Sequence, residues 1–238
     1  MKKILLVLVL VLFYLPSSIA LADWPNKPAG MTVISDHNFN TLNGNGWVAT
    51  FPLGGAIVSD SGDPESPPNA YKTWWFHTGD GNSAVPNLNF SPANEVFIGF
   101  TWKPSNPFTG WANNNNKVLN IWTDVGGIYW YHGLKGSNGT AGQGGPYKSD
   151  IFVNGAPFNG HLGSGFLIGP TTVQLGVWHR VEIYWKHSTT PTSQDGIVKY
   201  WLDGILQVNQ NNVNFNGTGF NTIQLAQSWD SEIGRAHV

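Results

Sequence analysis

Leu175-Gly-Val-Trp-His-Arg-Val-Glu-Ile-Tyr-Trp-Lys186, followed after a polar link by Asp195-Gly-Ile-Val-Lys-Tyr-Trp-Leu-Asp-Gly204, decides the fold class. Successive residues of a strand point to opposite faces, so a strand with one buried face alternates with period two. In the first run Val181, Ile183 and Trp185 fall on one face, and Arg180, Glu182, Tyr184 and Lys186 on the other. The second run divides into Val198, Tyr200 and Leu202 against Ile197, Lys199, Trp201 and Asp203. A hairpin through Thr189 to Asp195 therefore buries one set and brings the two mixed polar faces together as one patch.

Outward from this hairpin the chain repeats the same theme. Runs of strand character bounded by Gly, Pro, Asn and Asp lie near Thr32 to Ser35, Trp47 to Phe51, Tyr71 to His77, Glu95 to Lys103, Lys117 to Thr123 and Gly127 to His132. Others lie near Ser149 to Val153, Thr172 to Leu175, Trp178 to His187, Gly196 to Asp203 and Thr222 to Ser228. About eleven strands without an amphipathic helix predict an all-β, two-sheet antiparallel sandwich. The Pro-rich run from Asp60 to Asn69, Asn113 to Asn116 and the Gly-rich Gly133 to Gly145 read as loops. Trp74, Trp75, Trp102, Trp178 and Trp185 are assigned to the core or its margins.

Composition agrees. Charged residues make up 11% of the chain and aromatic residues 13%, with 29 Gly and 12 Trp. Charged residues usually approach about 25%, so long solvated helices are disfavoured, and the aromatic load argues against disorder. Lys2-Lys3, the apolar run Ile4 to Leu15 and Ala20-Leu-Ala22 before Asp23 have the layout of a secretory signal. Residues 1–22 are therefore expected to be removed, leaving a single domain over 23–231 that is secreted or periplasmic, with no membrane attachment. Without Lys2 and Lys3 the formal net charge goes from −2 to −4, so no basic field attracts nucleic acid. There is no Cys, which excludes disulfides and thiolate metal sites. Residues 232–238, Glu-Ile-Gly-Arg-Ala-His-Val, back-translate to a common sequencing-adapter string and are read as a non-native tail.

The hairpin segments resemble the "DG…v.lwvDG" hairpin of laminin-G-like and concanavalin A-like lectin/glucanase jelly rolls. Val96-Phe-Ile-Gly-Phe-Thr-Trp102, Lys117-Val-Leu-Asn-Ile121 and Thr222 to Trp229 fit the same pattern. The resemblance implies a concanavalin A-like jelly roll and a polysaccharide partner. Its superfamily includes lectin modules, glycoside hydrolases and polysaccharide lyases, so it is specific for fold and weak for activity. In these jelly rolls the last strand returns beside the first. The chain is accordingly expected to lack that strand and to leave Thr32 to Ser35 with an open edge.

A pyranose ring stacks on an indole while its hydroxyls bond to amides and charged groups. The expected binding residues are Trp201, Glu182, Lys199, Trp122, Asn120, Trp130 and Gln224. Glycoside hydrolysis needs two carboxyl groups about 5 to 10 Å apart, and no strand carries such a pair. β-Elimination on a uronate needs a base, an acid and a group that neutralises the carboxylate. Tyr184, His132 and Arg180 are the candidates for a lyase. The scattered His residues exclude zinc spacing. No cofactor is expected; a structural Ca²⁺ at loops holding Asp60, Asp63 or Asp124 is the alternative to simple turn formation by these residues. Glycan binding without catalysis is the leading expectation, a lyase the second and a hydrolase the third. Adhesion to protein partners is a further class.

Overall fold

Short apolar and aromatic runs cut by Gly, Pro and Asn give strands and no helix among the described residues of the computed structural model. The structure describes residues 24–49, 55–62, 68–73, 86–108, 117–125, 129–135, 148–154, 160–161, 171–215, 217–225 and 231–237. No helix among them is long and apolar enough to cross a membrane.

The strands are β1 (Asp36–His37), β2 (Trp47–Ala49), β3 (Gly55–Ser59), β4 (Asn69–Thr73), β5 (Pro86–Ala93), β6 (Glu95–Pro104), β7 (Lys117–Thr123) and β8 (Tyr129–Lys135). They continue as β9 (Lys148–Asn154), β10 (Gly160–His161), β11 (His179–Lys186), β12 (Gly196–Leu202), β13 (Ile205–Val213), β14 (Phe220–Leu225) and β15 (Ser231–His237). The first sheet has the order β13-β12-β11-β6-β15-β4-β3, with β1 also on β15; the second has the order β10-β9-β8-β7-β14-β5-β2. Every ladder is antiparallel, and the crossovers between sheets make the architecture a jelly-roll sandwich.

The hairpin that decides the fold forms as its alternation predicts. Val181 pairs with Leu202, Ile183 with Tyr200 and Trp185 with Val198, and all six are at most 1% exposed. They join Phe100, Trp102, Leu119, Ile121, Phe220 and Ile223 in one core between the sheets. Burying a large apolar side chain contributes about 1.5 to 3 kcal/mol, so this layer supplies the main favourable term. Asp203 and Gly204 close the hairpin from β12 to β13 with φ of 51° and 77°. Both central residues of such a two-residue turn need positive φ, which Asp tolerates and Gly adopts without strain.

Several strand expectations are corrected. Thr32 to Ser35 is not a strand; Val33 and Ile34 are exposed, and the first paired residues are Asp36 and His37. Thr172 to Leu175 is not a ladder strand either. Gly133 to Lys135, expected in a loop, extends β8, and the rest of that stretch, Asn113 to Asn116, Trp74 and Trp75 lie outside the described residues. β3, β5 and β13 were not expected: Pro86 and Pro92 mask β5, and the Asn- and Gln-rich edge strand β13 lacks an apolar alternation. Ser231–His237, which takes in most of the residues read as a non-native tail, forms a strand of the first sheet. This strand lies against β6 on one side and meets β4 and then β1 on the other, with an irregularity between Ile233 and Ala236.

Candidate functional site

The outward face of the hairpin is not open. The segment that begins at Trp24 crosses the first sheet and lays its indole on β6, β11 and β12, where Trp24, Phe97 and Tyr184 form a second apolar cluster with Met31, Ile197 and Trp201. Glu182 stands between Gly99 and Trp201 in the ladder. Because Gly99 has no side chain, the indole can descend onto the sheet; a Cβ there would collide with it. Glu182 is fully buried beneath the segment. Its Oε1 accepts the Asn26 backbone N–H at 3.0 Å, and its Oε2 accepts the Asn26 amide at 2.8 Å. The Arg180 guanidinium lies 4.4 Å from the Trp24 ring centroid, a geometry in which the cation meets the negative π face.

Tyr184 is drawn into the same covered face. Its hydroxyl donates to Glu95 Oε2 at 2.9 Å, and Lys186 Nζ reaches Glu95 Oε1 at 2.9 Å. Burial and the Glu95 hydrogen bond push the phenol well above its usual range, while Lys186 and Tyr184 hold the Glu95 carboxyl below its own. Lys199 is the cross-strand partner of Tyr184, on the sheet opposite to the one that carries His132. Arg180, Tyr184 and His132 therefore do not converge, and neither do Trp201, Glu182 and Lys199 with the residues of β7.

The remaining candidates lie on the second sheet, and three of them meet. The β7–β14 ladder pairs Asn120 with Gln224 and Trp122 with Thr222. The Trp122 indole N–H donates to Gln224 Oε1 at 2.9 Å, and the Asn120 amide lies 3.4 Å from the same oxygen. Leu119, Ile121 and Ile223 of these strands are fully buried in the core, so the Trp122 cluster occupies the outward face, and Trp122 and Gln224 are part-exposed there. The ladder to β5 adds Asn87 opposite Gln224 and Asn89 opposite Thr222, whose hydroxyl lies 2.9 Å from Asn89 Oδ1. On the other flank, register places Tyr131 opposite Asn120 and Tyr129 opposite Trp122. Trp130 and His132 are instead the register partners of Ile121 and Leu119.

Asn87, Asn89 and Thr222 were not singled out from the sequence. Asn87-Leu-Asn89 carries a short period-two signal, with Leu88 in the core, that the neighbouring prolines conceal. The acidic loop residues are engaged within the protein. Asp60 accepts the Gly62 N–H and pairs with Lys103, and Asp124 accepts the N–H and hydroxyl of Thr218. Asp63 lies outside the described residues. No group of three or more His, Asp or Glu side chains able to hold a metal ion occurs among the described residues.

Comparison with known proteins separates fold from sequence. No family model and no curated protein sequence matches the chain. Among solved structures, a mutant of alginate lyase Aly36B in complex with an alginate tetrasaccharide matches with a TM-score of 0.53 at 10% identity, over 80% of this chain and 94% of that one. Cip1, a cellulose-induced protein, matches with a TM-score of 0.52 at 14% identity, over 85% and 93%. Domain 4 of AbnA, an extracellular arabinanase from Geobacillus stearothermophilus, in complex with arabinotriose, matches with a TM-score of 0.50 at 15% identity, over 86% and 90%. At such identities the likeness is one of fold: this chain is a two-sheet antiparallel jelly-roll sandwich.

Proposed function

We propose that the protein is a secreted polysaccharide-binding jelly roll that holds its glycan across the outward, concave face of the second sheet. The observation that carries this reading is the Trp122–Gln224–Asn120 cluster in the middle of that sheet. A hydrogen bond through the indole N–H fixes the ring edge and leaves a ring face for a pyranose, while the exposed amide of Asn89 and the part-exposed amide of Gln224 offer donors and acceptors to hydroxyl groups and the buried Asn120 supports the cluster from below. The Aly36B mutant is seen with an alginate tetrasaccharide and the AbnA domain with arabinotriose, which supports a glycan partner for a chain of this fold. The export signal read in residues 1–22 is consistent with an extracellular polymer.

Affinity electrophoresis and calorimetry against a panel of polysaccharides test the proposal. Trp122→Ala is expected to weaken binding about tenfold or more, since a stacked aromatic anchor dominates small contact areas. Unchanged retention of the variant on every glycan that the parent binds would remove the assignment.

A polysaccharide lyase is the second reading, supported by the fold that the chain shares with the alginate lyase Aly36B. Release of ultraviolet-absorbing unsaturated oligosaccharides from a polyuronate would select it over binding alone.

A further inference from the structure

Where the chain leaves β11, three connections meet at one end of the sandwich. They are the β5–β6 turn at Asn94, the start of the link from Lys186 towards β12, and Gly217-Thr218 ahead of β14. Together they enclose a cavity of about 410 Å³ whose walls include Asn94, Glu95, Lys186, Thr189, Thr190 and Thr218. That volume falls in the range of about 300 to 1,000 Å³ usual for small-molecule sites. The Trp122 cluster contributes nothing to this lining.

The walls are held from behind. The His187 N–H donates to the Asn94 carbonyl at 2.7 Å and ties the link to the turn. Thr189 gives its N–H, at 2.9 Å, and its hydroxyl to Asp195, and Thr218 gives the same two donors to Asp124. The Asn214 amide donates to the carbonyls of Pro191 and Ser193. Walls fixed in this way lower the ordering cost of binding.

The same bonds settle what the cavity can recognise. A hydroxyl has one hydrogen, so the Thr189 and Thr218 oxygens, having donated to carboxylates, can only accept from a ligand. The exposed Glu95 carboxylate is an acceptor as well. His187 is 6% exposed, and its Nδ1 donates to the Ser188 carbonyl at 3.0 Å. In the neutral ring Nε2 is then an acceptor, and it has no partner among the described residues. The Oδ1 of buried Asn214 is a second acceptor of this kind. The walls are therefore short of donors. Lys186 is the one cation among the described lining residues, and it is paired with Glu95 at 2.9 Å. With Asp124 and Asp195 behind the threonines, three carboxylates stand against one ammonium group. A matching ligand carries several hydrogen-bond donors and no acidic group. Adjacent hydroxyls on a small ring meet that description, and Pro191 adds an apolar wall for the C–H face of the ring.

We propose that this end cavity is a second saccharide site, which takes one neutral sugar residue through its hydroxyl groups and excludes uronates. It stands apart from the second-sheet face and does not rest on the reading of that face. The sugar is either a free monosaccharide or the end residue of a glycan chain.

Titrations of the full chain followed by NMR test the proposal, with D-glucose, D-galactose, D-mannose, D-xylose, their linear trimers, D-glucuronate and D-galacturonate as probes. At least one neutral sugar is expected to bind saturably and to shift the His187 ring resonances. The uronate of matching configuration is expected to bind about tenfold or more weakly. Thr190→Trp sets an indole on an exposed wall residue and is expected to cost about tenfold or more in affinity. A trimer bound more tightly than its monomer assigns the chain end, and equal affinities assign the free sugar. No saturable binding of any neutral probe, a uronate bound as tightly, or a folded Thr190→Trp variant with parental affinity would overturn the proposal. The His187 resonances need no variant: binding that leaves them unmoved overturns it even if Thr190→Trp fails to fold. Binding lost in Trp122→Ala but kept in Thr190→Trp would place the sugar on the second sheet, removing the end cavity and leaving the glycan-binding reading intact.

Discussion

Asn26 holds both oxygens of the Glu182 carboxylate, one through its backbone N–H and one through its side-chain amide. The pair joins the segment that begins at Trp24 to β11, far along the sequence, at a position with no solvent exposure. Breaking one partner of a buried, charge-assisted hydrogen bond leaves the other unsatisfied, at a cost of about 1 to 3 kcal/mol or more. Glu182→Gln places an NH₂ group against one of the two Asn26 donors and is expected to lower the urea unfolding free energy by about that amount. A double-mutant cycle of Asn26→Ala with Glu182→Gln is expected to show coupling; strict additivity would show that the contact contributes nothing.

The same segment makes Trp24 a core residue on the outside of a sheet. Its indole is 2% exposed, and Trp24→Ala is expected to destabilise by about 3 to 5 kcal/mol, as for other large-to-small core changes. Gly99→Val attacks the contact from the opposite side, because its side chain fills the space the indole needs. The expected outcome is release of the amino-terminal segment, read as faster proteolysis near Trp24. Protection equal to the parent protein in both variants would contradict the packing.

His179 gives the fold a pH dependence with a definite sign. Burial opposes protonation, but the Asp203 carboxylate at 2.7 Å and the Gln174 carbonyl at 2.9 Å outweigh it and raise the imidazole above its ordinary value of 6.5. Burial likewise raises Asp203, but His179 and the Arg180 N–H outweigh it and hold the carboxyl below 3.8. The His179 contribution is fully present below about 6.5 and is lost as pH rises through its folded value. The Asp203 contribution is present above about 3.8 and is lost as pH falls through its folded value. Thermal unfolding is expected to show the pair's largest stabilisation between about pH 4 and 6.5, and His179→Gln to flatten the profile above that window. A variant profile parallel to that of the parent would remove His179 as its source.

On the second sheet, Gln224→Ala removes the acceptor of the Trp122 indole N–H without removing the ring. Glycan affinity is expected to fall less than in Trp122→Ala, by about threefold to tenfold, because the loss is one of preorganisation. Equal losses in the two variants would show that Gln224 contacts the glycan itself.

The hairpin of β11 and β12 was legible because a two-sided environment leaves a period-two record, and its six core residues lie where alternation puts them. β6 held a further message. Val96-Phe-Ile-Gly-Phe-Thr-Trp102 does not alternate, and its residues are buried on both faces. Such a run signals a strand covered from both sides. The cover itself was not legible, because Trp24 to Ile34 carries Pro25, Pro28 and Gly30 and has no period; its place is set by Gly99 and Glu182, distant in sequence. For the same reason the polar hairpin face read as an open patch. Asn120, Trp122 and Gln224 were individually legible as sugar-binding residue types. Their meeting depends on the ladder between β7 and β14, two strands separated by about half the chain, which residue type does not encode. Residue type alone points to Trp130 and His132, whereas register makes them the ladder partners of Ile121 and Leu119.

Covering the first sheet also fixes an order of events. Trp24 emerges from the ribosome before any strand it packs on, and its seat is complete only when β12 has joined β11. Until then an indole and a methionine remain in solvent at the head of the nascent chain, where they can engage chaperones or other apolar surfaces. The segment from Trp24 to Met31 is therefore synthesised before the strands it packs on and settles only after them, and the speed of its docking sets how long the newborn chain stays adhesive.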